Sequence, residues 1–239
     1  MAGAMAMTTN RRTFLQAAVA AALLSSLPAR AAPMKIGIIG SGRVGGTIGG
    51  LWVKAGHEVM FSARDIGEVK ELVAGLGPKA QAGTPREAAA FGEAVLISVP
   101  YAALPQIGRD NAAELRGKVV LDTCNPIQGR DGEMAIAARA KGTGVASLEL
   151  LPGVRLVRAF NCVGYTSMRS EAHRAGERLA IPLAADDDAA LKVAIRLVKD
   201  AGFEPVVVGG LARAKEFDVG TPVFGKALTA GELRKLLNI

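Results

Sequence analysis

The sequence predicts an α/β fold, a doubly wound and mostly parallel sheet of about eight strands with helices on both faces. Three observations predict it. From Met34 onward, short apolar runs alternate with stretches of helical periodicity. The first run feeds directly into Gly40-Ser41-Gly42-Arg43-Val44-Gly45, a glycine pattern that opens a helix and marks the fold as Rossmann-type. The composition, with 29 glycines and 4% aromatics, suits helices packed close against a sheet.

Taken in order, Ile36–Ile39 reads as a buried strand, and Val44–Ala55 as a helix with Val44, Ile48, Leu51, Trp52 and Ala55 on one face. Glu58–Phe61 is a second strand, Val69–Leu76 a helix and Ala80–Ala82 a weak third strand. Ala94–Val99 is a fourth strand, stopped by Pro100, which cannot donate to a ladder. Tyr101–Leu115 reads as mostly helical and Lys118–Asp122 as a fifth strand, closed by Asn125-Pro126. Val154–Ala159 is a sixth strand, reached through a helical stretch around Ala146–Leu151. After Asn161 a helix, a strand at Leu179–Ala184, a helix at Asp188–Ala201 and a strand at Pro205–Val208 are expected to extend the same sheet. Thr229–Leu237 reads as a short amphipathic helix. Residues 33–239 are therefore expected to form a single dinucleotide-binding domain with a short C-terminal extension.

The chain carries 29 basic and 22 acidic residues, a net charge of +7. Arg11, Arg12 and Arg30 lie in the first 32 residues, which hold no acid, so the remainder is only mildly basic. No Lys/Arg run interleaved with aromatics occurs, which argues against nucleic acid, while mild basicity suits an anionic small ligand. Two cysteines, Cys124 and Cys162, and two histidines, His57 and His173, are too few for a Cys/His zinc site or a histidine-based triad. His57 precedes the second strand, opposite the expected site, and reads as structural; His173 reads as exposed in a polar helix. The cysteines follow neighbouring strands. They are either a disulfide of an oxidising compartment or two small buried side chains.

Residues 1–32 read as an address. Arg11-Arg12, Phe14 and Leu15 precede a short apolar core over Ala17–Leu27, and Ala29-Arg30-Ala31 supplies small residues two apart. This resembles a bacterial twin-arginine signal, cut after Ala31, with export machinery as its partner and a periplasmic protein, without a stable membrane anchor, as its product. The other reading starts the protein at Met34 and leaves it cytoplasmic.

The glycine pattern has a physical logic. Gly40 permits the tight turn, Gly42 lets the backbone approach a pyrophosphate, and Gly45 lets the helix sit close to the strand. The helix start then offers N–H groups and the positive end of a dipole. The second strand decides between NAD and NADP. An NAD site places Asp or Glu about 20 residues past the fingerprint, on the ribose 2′-OH. Here Phe61-Ser62-Ala63-Arg64 supplies a guanidinium suited to a 2′-phosphate, and Ser62 a further donor. Asp65 follows and either faces solvent or caps the next helix, or else serves as the 2′-OH ligand of an NAD site. Arg43 reaches the adenine or the phosphates, or is solvated.

These residues, with Val95–Tyr101, Val119–Pro126, Val157–Asn161, Ile181–Asp188 and Gly209–Ala214, resemble the NADPH-dependent deazaflavin (coenzyme F-420) reductase-like family over nearly everything from Met34 to the tail. The resemblance implies hydride passage between NADP(H) and a planar acceptor such as a deazaflavin or flavin, and makes a homodimer a possible assembly. It assigns Ser41, Gly42, Arg43 and Val44 to the pyrophosphate loop, Arg64 to the 2′-phosphate, and Val99 and Pro100 to the nicotinamide ribose. The family often has Ser directly before that arginine, where this chain has Ala63. Independently, ligands of open α/β sheets sit beyond the carboxyl ends of the strands, where Val99-Pro100, Asn125-Pro126 and Phe160-Asn161 all end apolar runs. Asn125 and Asn161 are thus candidates for the nicotinamide carboxamide or the acceptor, or else turn and cap residues. No general acid is required, because hydride transfer between rings needs alignment and exclusion of water. The competing expectation is an NADP(H)-binding sensor or carrier without turnover. An imine or β-hydroxyacid dehydrogenase is disfavoured, since the chain lacks their long helical dimerisation domain.

Overall fold

A computed structural model describes residues 32–239, so the signal segment read from the sequence lies, but for Ala32, outside the described residues. One sheet of eight strands organises the chain: β1 (Lys35–Ile39), β2 (Glu58–Ser62), β3 (Ala80–Ala82), β4 (Ala94–Ile97), β5 (Val119–Asp122), β6 (Arg155–Arg158), β7 (Ala180–Ala184) and β8 (Glu204–Gly209). Between and after them lie α1 (Arg43–Lys54), α2 (Ile66–Ala74), α3 (Pro85–Phe91), α4 (Leu104–Asp110), α5 (Ala112–Leu115), α6 (Gln128–Lys141), α7 (Thr143–Leu150), α8 (Tyr165–Glu171), α9 (Asp188–Asp200) and α10 (Ala230–Leu237).

The strand order is β3-β2-β1-β4-β5-β6-β7-β8. Connections leave β1 in both directions, so the sheet reverses between β1 and β4 and opens a crevice at their carboxyl ends. The strands run parallel except that β7 meets β6 antiparallel, through Arg158 and Ala184. The expected Rossmann-type sheet is therefore the observed one, with a single reversed pairing near its far edge. Alternate residues of the strands feed two cores. Ile38, Leu96, Leu121 and Val157 join one, and Ile39, Val95, Val120 and Leu156 the other. Pro33–Ile239 cluster as one unit.

Local chemistry explains the boundaries. α1 starts one residue earlier than its apolar stripe, at Arg43, and buries Ile48 and Trp52 fully. Trp52 stacks edge-on against Phe160 at 6.2 Å, and its indole N–H donates to the Leu197 carbonyl of α9 at 2.8 Å. α3 was not expected from apolar periodicity, yet Thr84 and Glu87 form a capping box with Pro85 in the first turn. α6 was also missed. It is polar and broken at Gly132, whose φ of 59° and ψ of −140° leave the helical region. The helical stretch expected over Tyr101–Leu115 is split into a 3₁₀ turn at Tyr101–Ala103, α4 and α5. The second break falls at Asn111, whose side-chain amide donates to the Ile107 carbonyl. Among the described residues no helix is long and apolar enough to cross a membrane.

Candidate functional site

The glycine loop is built by backbone. Gly40 follows β1 with φ of +96°, a conformation that side chains rarely adopt, and an added Cβ would stand 2.3 Å from the Ser98 carbonyl oxygen. The amides of Gly40 and Ser41 both donate to the Ser62 carbonyl at 2.9 Å, and the Ser41 hydroxyl adds a third bond at 3.0 Å. The end of β2 thus anchors the loop. A Cβ on Gly45 would meet the Gly40 carbonyl oxygen at 2.1 Å, so this glycine is required for close packing. Gly42 differs from both. A Cβ there would meet nothing within 4 Å, so the fold gives no reason for glycine at this position.

Gly42 is also the N-cap of α1, and it contributes no side-chain cap; no acid occupies the first turn. By contrast α2, α3, α9 and α10 begin with Asp65, Thr84, Asp187 and Thr229 bonded to their first amides. The amides of Arg43, Val44 and Gly45 have no partner inside a helix. A groove of about 280 Å³ runs from Ser41 and Gly42 along α1, rimmed by Arg43, Lys54 and Arg169 and lined by no acid. Arg43 lies over the Tyr165 ring at 5.5 Å, which settles it at the mouth of this groove against α8.

At the end of β2, Arg64 is exposed and makes no hydrogen bond or ion pair among the described residues. Asp65 is committed elsewhere: its carboxylate caps α2 by accepting from the Gly67 amide at 2.7 Å. Ser62 corrects the expectation of a second phosphate donor. Its side chain is fully buried, and its hydroxyl donates to the carbonyl of Ile38 on the neighbouring strand β1 at 2.7 Å. What Ser62 gives the site is its carbonyl.

The three strand ends do converge. Val99 and Pro100 follow β4, and the Val99 side chain lies beside Gly40, 2.7 Å from where a Cβ would stand. Its amide donates to the Cys124 sulfur at 3.5 Å, which ties the ends of β4 and β5. Asn125 donates through Nδ2 to the Asn161 carbonyl at 2.7 Å, joining β5 to β6. Asn161 is buried, donates to the Phe217 carbonyl at 3.2 Å, and leaves Oδ1 without a partner among the described residues. Its orientation is set by Phe160, which has φ of 59° and a ring wedged edge-on against Trp52 and Phe203. A positive φ in a bulky residue costs about 1–2 kcal/mol, so packing must hold it there. Neither asparagine caps a helix.

Beneath them lies a charge cluster that periodicity did not reveal. Arg158 is fully buried and paired in register with Asp122. Its guanidinium reaches the Asp122 carboxylate at 3.0 Å and Asp218 at 3.2 Å. Burial pulls the Arg158 pKa down, but the two carboxylates outweigh it and hold it above the ordinary value. The signal in sequence was a lone arginine interrupting the apolar run Leu156–Phe160, which demands a buried partner. Burial also pushes Tyr101, just past Pro100, up to about 12 and the Cys162 thiol up to about 12; Cys124 rises well above its usual range for the same reason. Both thiols are free, so the disulfide alternative is not formed. His57 is structural as read: Nδ1 accepts from the Met34 amide and Nε2 bonds Asp200, both at 3.0 Å. His173 is exposed, in a left-handed turn after α8 (φ 59°), not within a helix.

Between α6 and the 3₁₀ segment Leu211–Phe217 lies a cleft of about 410 Å³. Ile136 and Ala140 give it an apolar wall, Arg139 and Lys215 a cationic rim, and Asp218 a link to the Arg158 cluster. No group of three His, Cys, Asp or Glu residues able to hold a metal occurs among the described residues. The glycine loop, the open α1 start and Arg64 fit a dinucleotide phosphate.

The fold recurs in solved structures. A hypothetical protein from Sinorhizobium meliloti superposes with a TM-score of 0.69 at 21% identity, over 84% of this chain and 97% of that one. A candidate F420-dependent NADP-reductase from Arthrobacter sp. FB24 gives 0.66 at 21% identity, over 82% and 99%. The imine reductase from Myxococcus stipitatus in complex with NADP⁺ gives 0.54 at 21% identity, over 77% of this chain and 57% of that larger one. No curated protein matches the chain. The model of the family described as NADP oxidoreductase, coenzyme F420-dependent, matches residues 35–126, which run from β1 and the glycine loop to Asn125-Pro126. Over this segment, the first five strands and the glycine loop, the chain is similar to the coenzyme F420-dependent NADP oxidoreductase family.

Proposed function

We propose that the protein binds NADP(H) in preference to NAD(H) and passes hydride between its nicotinamide and a planar acceptor such as a flavin or deazaflavin. One observation carries the cofactor choice: at the end of β2 Arg64 has no partner among the described residues, while Asp65 is spent as a helix cap. An unpaired guanidinium attracts a 2′-phosphate, and a carboxylate occupied in capping is poorly placed to grip a ribose hydroxyl.

The assignment of roles follows from position. The amides of Gly42, Arg43 and Val44 receive the pyrophosphate at the open start of α1. Val99 and Pro100 form the floor under the nicotinamide ribose, and Asn125 and Asn161 frame the far end of the crevice. The nicotinamide supplies the hydride chemistry when bound. The chain's contribution is alignment and exclusion of water. The neighbouring cleft, with Ile136 against one face and Arg139 and Lys215 at its rim, suits a flat acceptor carrying negative charge.

The test is direct. Purified protein is analysed for bound nucleotide, and NADPH oxidation is followed with deazaflavin, FMN and ferric acceptors. Turnover with a planar acceptor is expected. Tight NADP binding with no turnover on any acceptor would make the protein a nucleotide carrier or sensor instead. For the leader we propose twin-arginine export, which carries folded, cofactor-loaded protein. N-terminal sequencing of the native protein should begin at Ala32; a start at Met34 contradicts export.

A further inference from the structure

Arg158 is sealed at the carboxyl end of β6, too deep to touch a ligand itself. A guanidinium taken wholly out of water is costly unless its partners are many and well aimed. One terminal nitrogen donates to the Asp122 carboxylate at 3.0 Å and to the Cys124 carbonyl at 2.6 Å. The other donates to Asp218 at 3.2 Å and to Asn125 Oδ1 at 3.0 Å. The first three bonds neutralise and fix the guanidinium. The fourth acts on the site.

An asparagine amide has an acceptor end and a donor end, and which of them faces a ligand decides what it can bind. At Asn125 the neighbours leave no choice. Arg158 offers only donors, and the Asn161 carbonyl at 2.7 Å offers only an acceptor. Asn125 can satisfy both in one orientation alone, with Oδ1 on the guanidinium and Nδ2 on the carbonyl. The reverse would set amide hydrogens against a cation and oxygen against oxygen. The backbone of the residue is held as well, since Arg130 donates to the Asn125 carbonyl at 2.7 Å. Arg130 itself is gripped by Asp131, whose buried carboxylate also accepts from the amides of Ala102 and Ile127. Nδ2 spends one hydrogen on Asn161. Asn125 is half-buried, so its second hydrogen is the polar group left to present at the crevice.

We infer that Arg158 is a positioning residue that locks the Asn125 amide with its donor edge outward, and that this donor reads the carbonyl oxygen of the nicotinamide carboxamide. The inference rests on the dinucleotide reading above and extends it from the phosphate end to the ring end. It does not depend on which acceptor is reduced.

The experiment compares two ligands on the full chain, NADPH and 2′-phospho-ADP-ribose, which lacks the ring. Wild type should bind NADPH the tighter of the two. Asn125→Ala should weaken NADPH about tenfold, the equivalent of one lost hydrogen bond, and leave 2′-phospho-ADP-ribose unchanged. Arg158→Lys keeps the charge but cannot fork to Asp122 and Asn125 together, and should reproduce that selective loss. The double variant should be no more selective than either single one, because both act through one donor. A merely structural Arg158 would weaken both ligands alike, and that result overturns the inference, as does full additivity. Should Arg158→Lys fail to fold, Asn125→Ala decides alone: an unchanged ratio between the ligands overturns the inference. A wild type that binds both ligands equally removes the ring contact while leaving the phosphate reading intact. A wild type that binds neither removes both.

Discussion

The two ends of the crevice are built in opposite ways. At the glycine loop the candidate groups are backbone amides, left open because Gly42 carries no side chain and α1 has no cap. At the ends of β5 and β6 the candidate groups are side chains, and nearly every polar atom of Asn125, Arg158 and Asp218 is already bonded to another. The first end keeps its donors uncapped. The second is pre-formed and offers little that is unspent. A phosphate carries enough charge to organise amides around itself. A neutral carboxamide, the ligand group proposed for the other end, does not, so such a site gains from being rigid beforehand.

The comparison makes Arg158 the residue whose loss is felt most. Arg158→Met would strand Asp122 and Asp218 as buried carboxylates without their cation and should destabilise the protein by about 3–5 kcal/mol in urea unfolding. Adding Asp122→Asn should recover part of this. A near-neutral Arg158→Met would mean the cluster is not what holds that end together.

At the other end two glycines should separate stability from binding. Gly45→Ala places a Cβ 2.1 Å from the Gly40 carbonyl oxygen and should cost about 1–3 kcal/mol by forcing backbone apart. Gly42→Ala meets nothing in the fold, so the melting temperature should hold while NADPH affinity drops by about tenfold or more. The reverse pattern would show that Gly42 is a packing residue. Asp65→Ala removes the α2 cap and should cost about 1 kcal/mol, with the preference between NADPH and NADH unmoved. A shift of that preference toward NADPH would return Asp65 to the ribose.

The effect confined to high pH is the response of the thiols. Burial raises Cys162 from 9.0 to about 12, so the folded state holds the proton that the unfolded chain gives up. The stability it contributes is complete below the unfolded value and is lost as pH climbs toward the folded one. Stability should decline across this alkaline window, less steeply in Cys162→Ala. Neither thiol should react with a thiol reagent until the protein unfolds.

The same contrast explains what was legible in the sequence. Gly40, Gly42 and Gly45 stand at a spacing dictated by one turn of chain, so local sequence shows them. Arg158 and Asp122 are 36 positions apart and meet only through the register of β5 on β6. The arginine inside an apolar run was visible; its partners were not. Alternation along β2 does not say that the Ser62 hydroxyl is spent on the Ile38 carbonyl of β1. The capping box at Thr84 and Glu87 could have announced α3, whereas the break at Gly132 hid the periodicity of α6. The reversed pairing of β7 leaves no mark in apolar alternation, which is alike for either direction.

The central claim is that the end of β2 selects NADP(H) through Arg64. Calorimetric titration of wild type and Arg64→Ala with NADPH and NADH tests it most directly. Wild type should bind NADPH at least about tenfold tighter, and Arg64→Ala should lose that margin while its NADH affinity stays put. Equal affinities in wild type, a preference for NADH, or a preference for NADPH that survives Arg64→Ala would contradict the account.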